Sequence, residues 1–270
     1  MTSTSSDTLS LPAIILEGST FLPHNTLKLE LSESTTSHLL ETWTNPDNAL
    51  MAKLTGKWLV FFTALPAEAK VNLESSILTL PTNKTVSICA TGCIGEIVFI
   101  SPMGSSDQKL LVLVKGLSRC TYVKQAPSTN SNTKNAANTL NEDKQSPSPT
   151  LPYVTVKPYE VSMDSTPELE SVVQKLTTHA IALFMLFPVL RSLDAVKALQ
   201  NMSDRATASA LADILTQSVE DQRPVSLVDR LGVLAARTLY DQLTRTLGVL
   251  GKVLPLVSTV AQLVGNNRNK

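Results

Sequence analysis

The chain has 270 residues, which suffices for one large domain or two ordinary ones, either with a buried hydrophobic core. It carries 23 Lys and Arg residues against 23 Asp and Glu residues, so its formal net charge is zero. This balance argues against nucleic acid or an anionic membrane as the main partner, because both bind clustered positive charge.

The N-terminal residues contain no Lys or Arg before their first apolar run. They therefore lack the charged start of a signal peptide and the Arg-rich face of a transit peptide. The three cysteines, Cys89, Cys93 and Cys120, are an odd number, which is typical of free thiols in a reducing compartment. We therefore predict a cytoplasmic protein.

The first part of the chain shows the hydrophobic patterns of β-strands, separated by Gly- and Pro-containing turns. The six predicted strands cover residues 11–16, 27–31, 57–65, 94–100, 109–123 (with a break at Gly116) and 152–161. Residues 101–107 have the composition of a hairpin turn between two of them. Together with one helix, these strands predict a mostly antiparallel, curled sheet or small barrel.

The predicted helix follows the second strand directly. Pro23 turns the chain, because proline cannot donate a hydrogen bond within a central strand. Ser32 or Ser34 can cap the helix. The inner side of the helix would carry Leu39, Leu40 and Trp43.

Residues 124–150 are rich in Ser, Thr, Asn and Pro and contain almost nothing that can pack. We predict a disordered loop inserted within one domain, because strands are predicted on both sides of it. The run Ser146-Pro147-Ser148-Pro149 matches a proline-directed phosphorylation pattern, although such dipeptides are common by chance.

From residue 165 onward the hydrophobic period changes to that of helices, and residues 166–265 predict an all-helical bundle. The first helix has Ser165 or Thr166 as its cap and Pro167 in its first turn. Further helices are predicted from Ser203 and from near Ser226, the last extending to Leu243. The apolar stripe of the first helix contains Leu169, Val172, Val173, Leu176, Ala180, Leu183, Phe184 and Phe187.

Two apolar runs could be mistaken for membrane segments. Residues 180–190 are too few to cross about 30 Å of hydrocarbon. Residues 246–265 are interrupted by Lys252 and Pro255, which favours a packed or partner-facing helix over a membrane segment. Both alternatives stay open for this run, whose apolar residues at helical spacing are Leu250, Val253, Val257, Val260 and Val264.

The potential metal ligands do not form a recognisable site. Cys89 and Cys93 are a single pair, whereas a structural zinc site needs about four convergent ligands. We interpret the thiols as small buried side chains in strands. The histidines are scattered: we expect a side-chain to backbone hydrogen bond at His24, a satisfied or exposed position for His179, and a structural default for His38.

Catalytic motifs are also missing. The sequence has no Gly-x-Ser-x-Gly elbow and no His-Glu-x-x-His motif. Neither Gly56-Lys57 nor Gly251-Lys252 has the hydroxyl residue or the upstream glycine of a phosphate-binding loop. We therefore predict no catalytic residue, no cofactor and no metal, and the sequence leaves substrate-binding residues unassigned.

Four blocks in order resemble the N-terminal substrate-binding domain of Lon proteases. They are residues 11–43, residues 90–100 (with Gly92, Cys93, Ile94, Gly95 and Ile97), residues 107–123 (with Val114, Gly116 and Arg119) and residues 151–161. Residues 210–239 are similar in layout to the helices that follow in Lon, without their strongly charged coiled-coil character.

The resemblance implies a PUA-like β pseudobarrel over residues 11–161 and a helical subdomain over residues 166–265. It implies a stand-alone, non-enzymatic protein-binding module, an adaptor or regulatory subunit, since the Walker A and Ser-Lys protease motifs of Lon are not found. One alternative is the recognition subunit of a split ATP-dependent protease whose motor is a separate chain. Another is RNA binding through the PUA-like barrel, which the neutral charge disfavours. The expected partners are polypeptide substrates or an ATP-dependent protease, with homo-oligomers formed through the C-terminal helices as a further possibility.

Overall fold

Strands fill the N-terminal part of the chain and helices the C-terminal part, where the hydrophobic period changes. The computed structural model describes residues 8–32, 35, 55–66, 73–102, 110–125, 151–163, 166–187, 193–202, 204–220 and 225–268. The strands are β1 Leu9–Leu16, β2 Thr26–Leu31, β3 Trp58–Thr63, β4 Ser75–Thr79, β5 Thr85–Cys89, β6 Thr91–Pro102, β7 Leu110–Gln125 and β8 Tyr153–Tyr159. The helices are α1 Leu169–Leu186, α2 Leu193–Gln200, α3 Arg205–Ser218, α4 Leu227–Leu234 and α5 Leu239–Arg268.

Six of the strands form one sheet in the order β2-β7-β6-β3-β1-β8, and a further pairing of β7 with β8 closes it into a barrel. Strand β7 is long enough to pair with β2 through its first half and with β8 through its second half. The pairing of β1 with β3 is parallel, and the other pairings are antiparallel. The mostly antiparallel six-stranded pseudobarrel predicted from the sequence is confirmed.

Several strand predictions need correction. The hairpin β4–β5 was not predicted, because its two strands are short and rich in Ser and Thr. Strand β7 continues through Gly116 instead of breaking there. Its next residue, Leu117, has no paired residue on β6, and the register between the two strands shifts at this point. The predicted disordered loop begins later than residue 124, since β7 extends to Gln125, whose side chain bonds the backbone of Thr79 on β4.

Parts of two predictions lie outside the described residues. The backbone N–H of Thr35 donates to Ser32 Oγ over 3.3 Å, which is the bond that a capping serine makes. The rest of the predicted first helix, with Ser34, Leu39, Leu40 and Trp43, and residues 126–150 of the predicted loop lie outside the described residues.

The helical half contains one more helix than predicted, α2, and its boundaries differ. Helix α1 begins at Leu169, and Glu168 occupies its N-cap position without a side-chain capping bond, so the predicted cap at Thr166 is wrong, and Ser165 lies outside the described residues. Thr166 O accepts from Leu169 N (3.1 Å) in a turn that precedes the helix. Its apolar stripe faces the helical core as predicted. Helix α3 is capped by Asp204 instead of beginning at Ser203.

The predicted third helix starts correctly but is divided. Ser226 and Asp229 form a capping box at the start of α4. The helix ends at Leu234, and Leu243 lies on α5. Tertiary contact explains the interruption, because the backbone of Ser162 bonds Arg237 O (2.8 Å) and Leu239 N (2.9 Å) across the gap. No helix in the described ranges is long and apolar enough to cross a membrane.

The helices and the barrel share hydrophobic contacts. The core of the helical half includes four buried residues from the β half: Leu22, Leu65, Cys89 and Val161. Full burial of a Leu or Val side chain contributes about 1.5–3 kcal/mol. Two further clusters occupy the two sides of the barrel wall.

A buried ion pair joins the two halves. Arg119 on β7 donates to Asp213 Oδ1 on α3 over 2.5 Å, and the two residues are 4% and 0% exposed. Arg119 Nε also donates to Leu234 O (3.1 Å), and Gln242 Nε2 donates to Asp213 Oδ1 (2.9 Å). Burial raises the pKa of Asp213, and the Arg119 guanidinium opposes that rise. The charges are therefore held in a network that spans one strand and three helices.

We expect Asp213→Asn to lower the free energy of unfolding by about 3–5 kcal/mol, because it leaves the Arg119 charge buried without a counter-charge. Urea denaturation of the full chain measures the effect. The double variant with Arg119→Met should lose clearly less than the sum of the two single variants. Strict additivity would show that the two side chains do not depend on each other.

Candidate functional site

The loop between β1 and β2, residues 17–25, is attached to the helices by side chains that bond its backbone. The amide of Gln217 donates to Thr20 O (3.1 Å) and accepts from Leu22 N (3.3 Å), as a neighbouring strand would. Glu220 Oε1 accepts from Thr20 N (3.2 Å). The loop is thereby held against the end of α3, with Leu22 inserted into the helical core.

His24 stands at the sharp turn of this loop. Its φ is +63°, a left-handed conformation that costs an ordinary residue about 1–2 kcal/mol. Its backbone N–H donates to Gly116 O (3.0 Å), and Gly116 N donates to Asn25 O (2.8 Å). A Cβ on Gly116 would lie 2.6 Å from Leu22 O, so only glycine permits this approach. The side-chain to backbone bond expected for His24 is made at this turn by Asn25 Nδ2, which donates to Pro23 O (2.9 Å).

The imidazole of His24 lies among charged groups from two elements. Partial burial lowers the pKa of His24, the carboxylate of Asp213 on α3 opposes this, and Arg119 and Lys115 on β7 add to it. The neutral imidazole is thus favoured in the folded protein.

The other candidate ligands are held in structural positions. Cys89, Cys93 and Cys120 are free and buried in β5, β6 and β7, as predicted. Burial raises the pKa of all three thiols, which disfavours the nucleophilic thiolate. His179 Nδ1 lies 2.8 Å from Lys175 O, a satisfied position as predicted, and His38 is outside the described residues. Within the described ranges, no three His, Cys, Asp or Glu side chains are grouped as metal ligands.

The outer side of β2, β7, β6 and β3 carries a surface that we call the Trp58 face. Directly paired residues of antiparallel strands point to the same side of a sheet. The register therefore places three cross-strand rows on this side: Trp58–Glu96–Lys115–Thr26, then Phe99–Leu113–Lys28, then Ser101–Leu111–Glu30. The alternate rows, such as Ile97–Val114–Leu27, point to the opposite side of the sheet and contribute to a hydrophobic cluster.

Large apolar side chains of the Trp58 face are open to solvent. Trp58 is 43% exposed, Phe99 is 51% exposed, and Val98, in an irregularity of β6 between two register positions, is 42% exposed. Leu111 and Leu113 are half-buried between them. Charges of both signs, on Lys28, Glu30, Glu96 and Lys115, surround this apolar centre.

This surface was not assigned from the sequence. The one local signal is the run Ile97-Val98-Phe99-Ile100, in which four consecutive apolar residues leave no polar residue for an outer face. In a half-solvated antiparallel sheet, strands alternate apolar and polar residues. An unbroken apolar run on an antiparallel strand therefore indicates that the outer face is also apolar.

We expect His24→Asn to reduce the loss of stability in mild acid. The unfolded chain takes up a proton near pH 6.5, above the folded pKa of His24, so the free energy of unfolding falls as pH drops through this window. Asn tolerates the left-handed backbone and cannot be protonated. Chemical denaturation at several pH values measures the slope. An unchanged slope in His24→Asn would contradict the assignment.

The fold of the chain is similar to those of Lon N-terminal domains. A search of curated protein sequences found no match. The fold is similar to the N-terminal domain of Lon protease from the Mycobacterium avium complex, with a TM-score of 0.51 and 12% identity over 90% of this chain and 98% of that one. The Lon N-terminal domain protein of Xanthomonas campestris aligns with a TM-score of 0.46 and 15% identity over 89% of this chain and 98% of that one.

At this level of identity the first of these similarities shows the fold alone. The family is shown by sequence, since the model of the ATP-dependent protease La (LON) substrate-binding domain matches residues 10–252 and so includes both the barrel and most of the helices. The chain therefore belongs to the LON substrate-binding domain family.

Proposed function

We propose that this protein is a non-enzymatic polypeptide-binding module that holds apolar, extended segments of other proteins on the Trp58 face. Membership in a substrate-binding family supports a binding role. The exposed side chains of Trp58 and Phe99, beside the half-buried Leu113, support the place of contact. Aromatic side chains are enriched where binding energy is concentrated, because they bury large areas at a small entropic cost.

The charges around the Trp58 face favour a polypeptide over a nucleic acid. Lys28 and Lys115 alternate with Glu30 and Glu96 on neighbouring strands. A phosphate backbone needs a continuous positive surface, whereas a polypeptide segment offers apolar groups with charges of both signs. The apolar centre of this face is the single observation that carries the proposal.

The adaptor or regulatory role is part of the proposal. The buried, protonated state of the three thiols and the backbone contact of His179 support a role without bond cleavage by these residues. The free thiols also support action in a reducing compartment such as the cytoplasm. The barrel (residues 11–161) and the helical part (residues 166–265) would act as one unit, because Arg119 and Asp213 tie them together.

We expect the double variant Trp58→Ser and Phe99→Ser to bind an unfolded protein at least about tenfold more weakly, because two large apolar contacts are lost. The probe is a reduced, carboxymethylated protein with a fluorescent label, and anisotropy gives the Kd. Ile77→Ser is the matched control, since Ile77 is 70% exposed on β4 and not on the Trp58 face.

Equal weakening by Ile77→Ser would show that general surface hydrophobicity, and not the Trp58 face, governs binding. Unchanged binding in the double variant would reject this face as the contact surface. Far-UV circular dichroism checks that each variant keeps its secondary structure.

A further inference from the structure

A pocket of about 310 Å³ opens between the loop that contains His24, strand β7 and helices α2 and α3. Its size is at the lower end of the range for ligand pockets, so it fits a group about as large as one amino-acid residue. One part of the lining, with Lys115, Lys197 and Asn201, is polar, and another part, with Ala210 and Ile214, is apolar; His24 also lines the pocket.

The polar part of the pocket is positively charged. Lys115 and Lys197 come from different elements, β7 and α2, and both are exposed. Neither forms an ion pair with another described residue. Three carboxylates lie nearby: Glu96 is the cross-strand neighbour of Lys115, Asp204 accepts from Thr207 at the start of α3, and Asp213, which acts on His24, is paired with Arg119. Two ammonium groups at one pocket therefore remain available for an anion.

The apolar part limits the kind of anion. Ala210 and Ile214 lie one turn apart on α3, and Ile214 is buried. A bare phosphate or sulfate would leave these groups without an apolar partner. An anion attached to a small apolar group would satisfy both parts of the lining.

The pocket adjoins the Trp58 face through Lys115. This lysine lines the pocket and also belongs to the row Trp58–Glu96–Lys115. A chain lying on the Trp58 face can thus reach the pocket across one row of the sheet.

We propose that this pocket binds a carboxylate carried by a small apolar group, with Lys115 and Lys197 donating to the carboxylate and Ala210 and Ile214 contacting the apolar group. Two sources supply this chemistry: the C-terminal residue of a bound polypeptide and a free small carboxylic acid. The inference deepens the proposed function. For the first source, the C-terminal residue of a bound polypeptide, it rests on that function. His24 forms the wall of the pocket, and the attachment of its loop to Gly116 fixes that wall.

The test uses the full chain and a short labelled Gly/Ser peptide that ends in Ala-Leu, made once with a free carboxylate and once as the C-terminal amide. We expect the acid to bind about tenfold or more tightly than the amide, because the amide still accepts hydrogen bonds but carries no negative charge to pair with the two ammonium groups. Unlabelled N-acetyl-leucine is the competitor that represents the free acid. Competition by N-acetyl-leucine at an affinity equal to that of the peptide acid supports a free acid as the source, and much weaker competition supports a polypeptide terminus.

The variant Lys115→Gln with Lys197→Gln should abolish the preference for the acid. The control Lys157→Gln with Lys175→Gln removes two exposed lysines elsewhere and should retain it. Ala210→Leu fills the pocket without changing its charge and should weaken the acid peptide while leaving the labelled unfolded protein bound through the Trp58 face.

The pocket proposal would be overturned if the acid and amide peptides bound equally. It would also be overturned if the two double lysine variants lost the preference for the acid to the same extent. If the unfolded protein still depends on Trp58 and Phe99 in that case, the proposed function stands without the pocket. If acid and amide differ but Trp58 and Phe99 do not matter for the unfolded protein, the pocket stands as a site for a free acid, and the polypeptide surface is rejected.

Discussion

The ion pair between Arg119 and Asp213 determines how the helices lie on the barrel. Both charges are excluded from water, so each needs the other to offset its cost of desolvation. Arg119 comes from the middle of β7, the strand that contacts β2, β6 and β8, and Asp213 comes from the middle of α3. A displacement of α3 along the barrel would leave two buried charges unpaired. The pair is therefore a directional contact between α3 and β7 in addition to the hydrophobic contacts.

The loop of residues 17–25 follows from that position. With α3 in place, Gln217 and Glu220 reach the backbone of the loop, and Arg230 on α4 pairs with Glu220 and donates to Gly18 O over 3.2 Å. The loop then passes so close to β7 that only glycine fits at residue 116, and the turn forces a left-handed backbone at His24. The strained turn is stabilised by its surroundings, as is common at binding sites. It forms one wall of the pocket between barrel and helices.

The barrel wall separates two kinds of surface on the same strands. Rows that contain Ile97, Val114 and Leu27 build the core, and the rows between them expose Trp58 and Phe99. Residues that carry the family resemblance, Gly116 and Arg119, prove to hold the barrel, the loop and the helices together. The surface proposed to bind polypeptides uses other residues of the same strands. The residues that connect the barrel, loop and helices and the residues proposed to bind polypeptides thus lie on the same strands.

Local pattern was sufficient to predict the long strands, the apolar stripe of α1 and a helix start near Ser226, because alternation and helical spacing record burial along one element. The family was predicted from the resemblance of four ordered blocks, and the family model confirms it. Local pattern missed the hairpin β4–β5, whose strands are short and rich in Ser and Thr. It also placed Leu243 in the wrong helix, because the interruption before α5 depends on pairing with Ser162, which is far away in the sequence. The Trp58 face, the pocket and the pair of Arg119 with Asp213 were decided by the tertiary structure alone. Each depends on which elements are neighbours and, in the sheet, on the register of the strands. Local periodicity indicates which side of one element is buried, but it does not indicate which residues of other elements lie next to it.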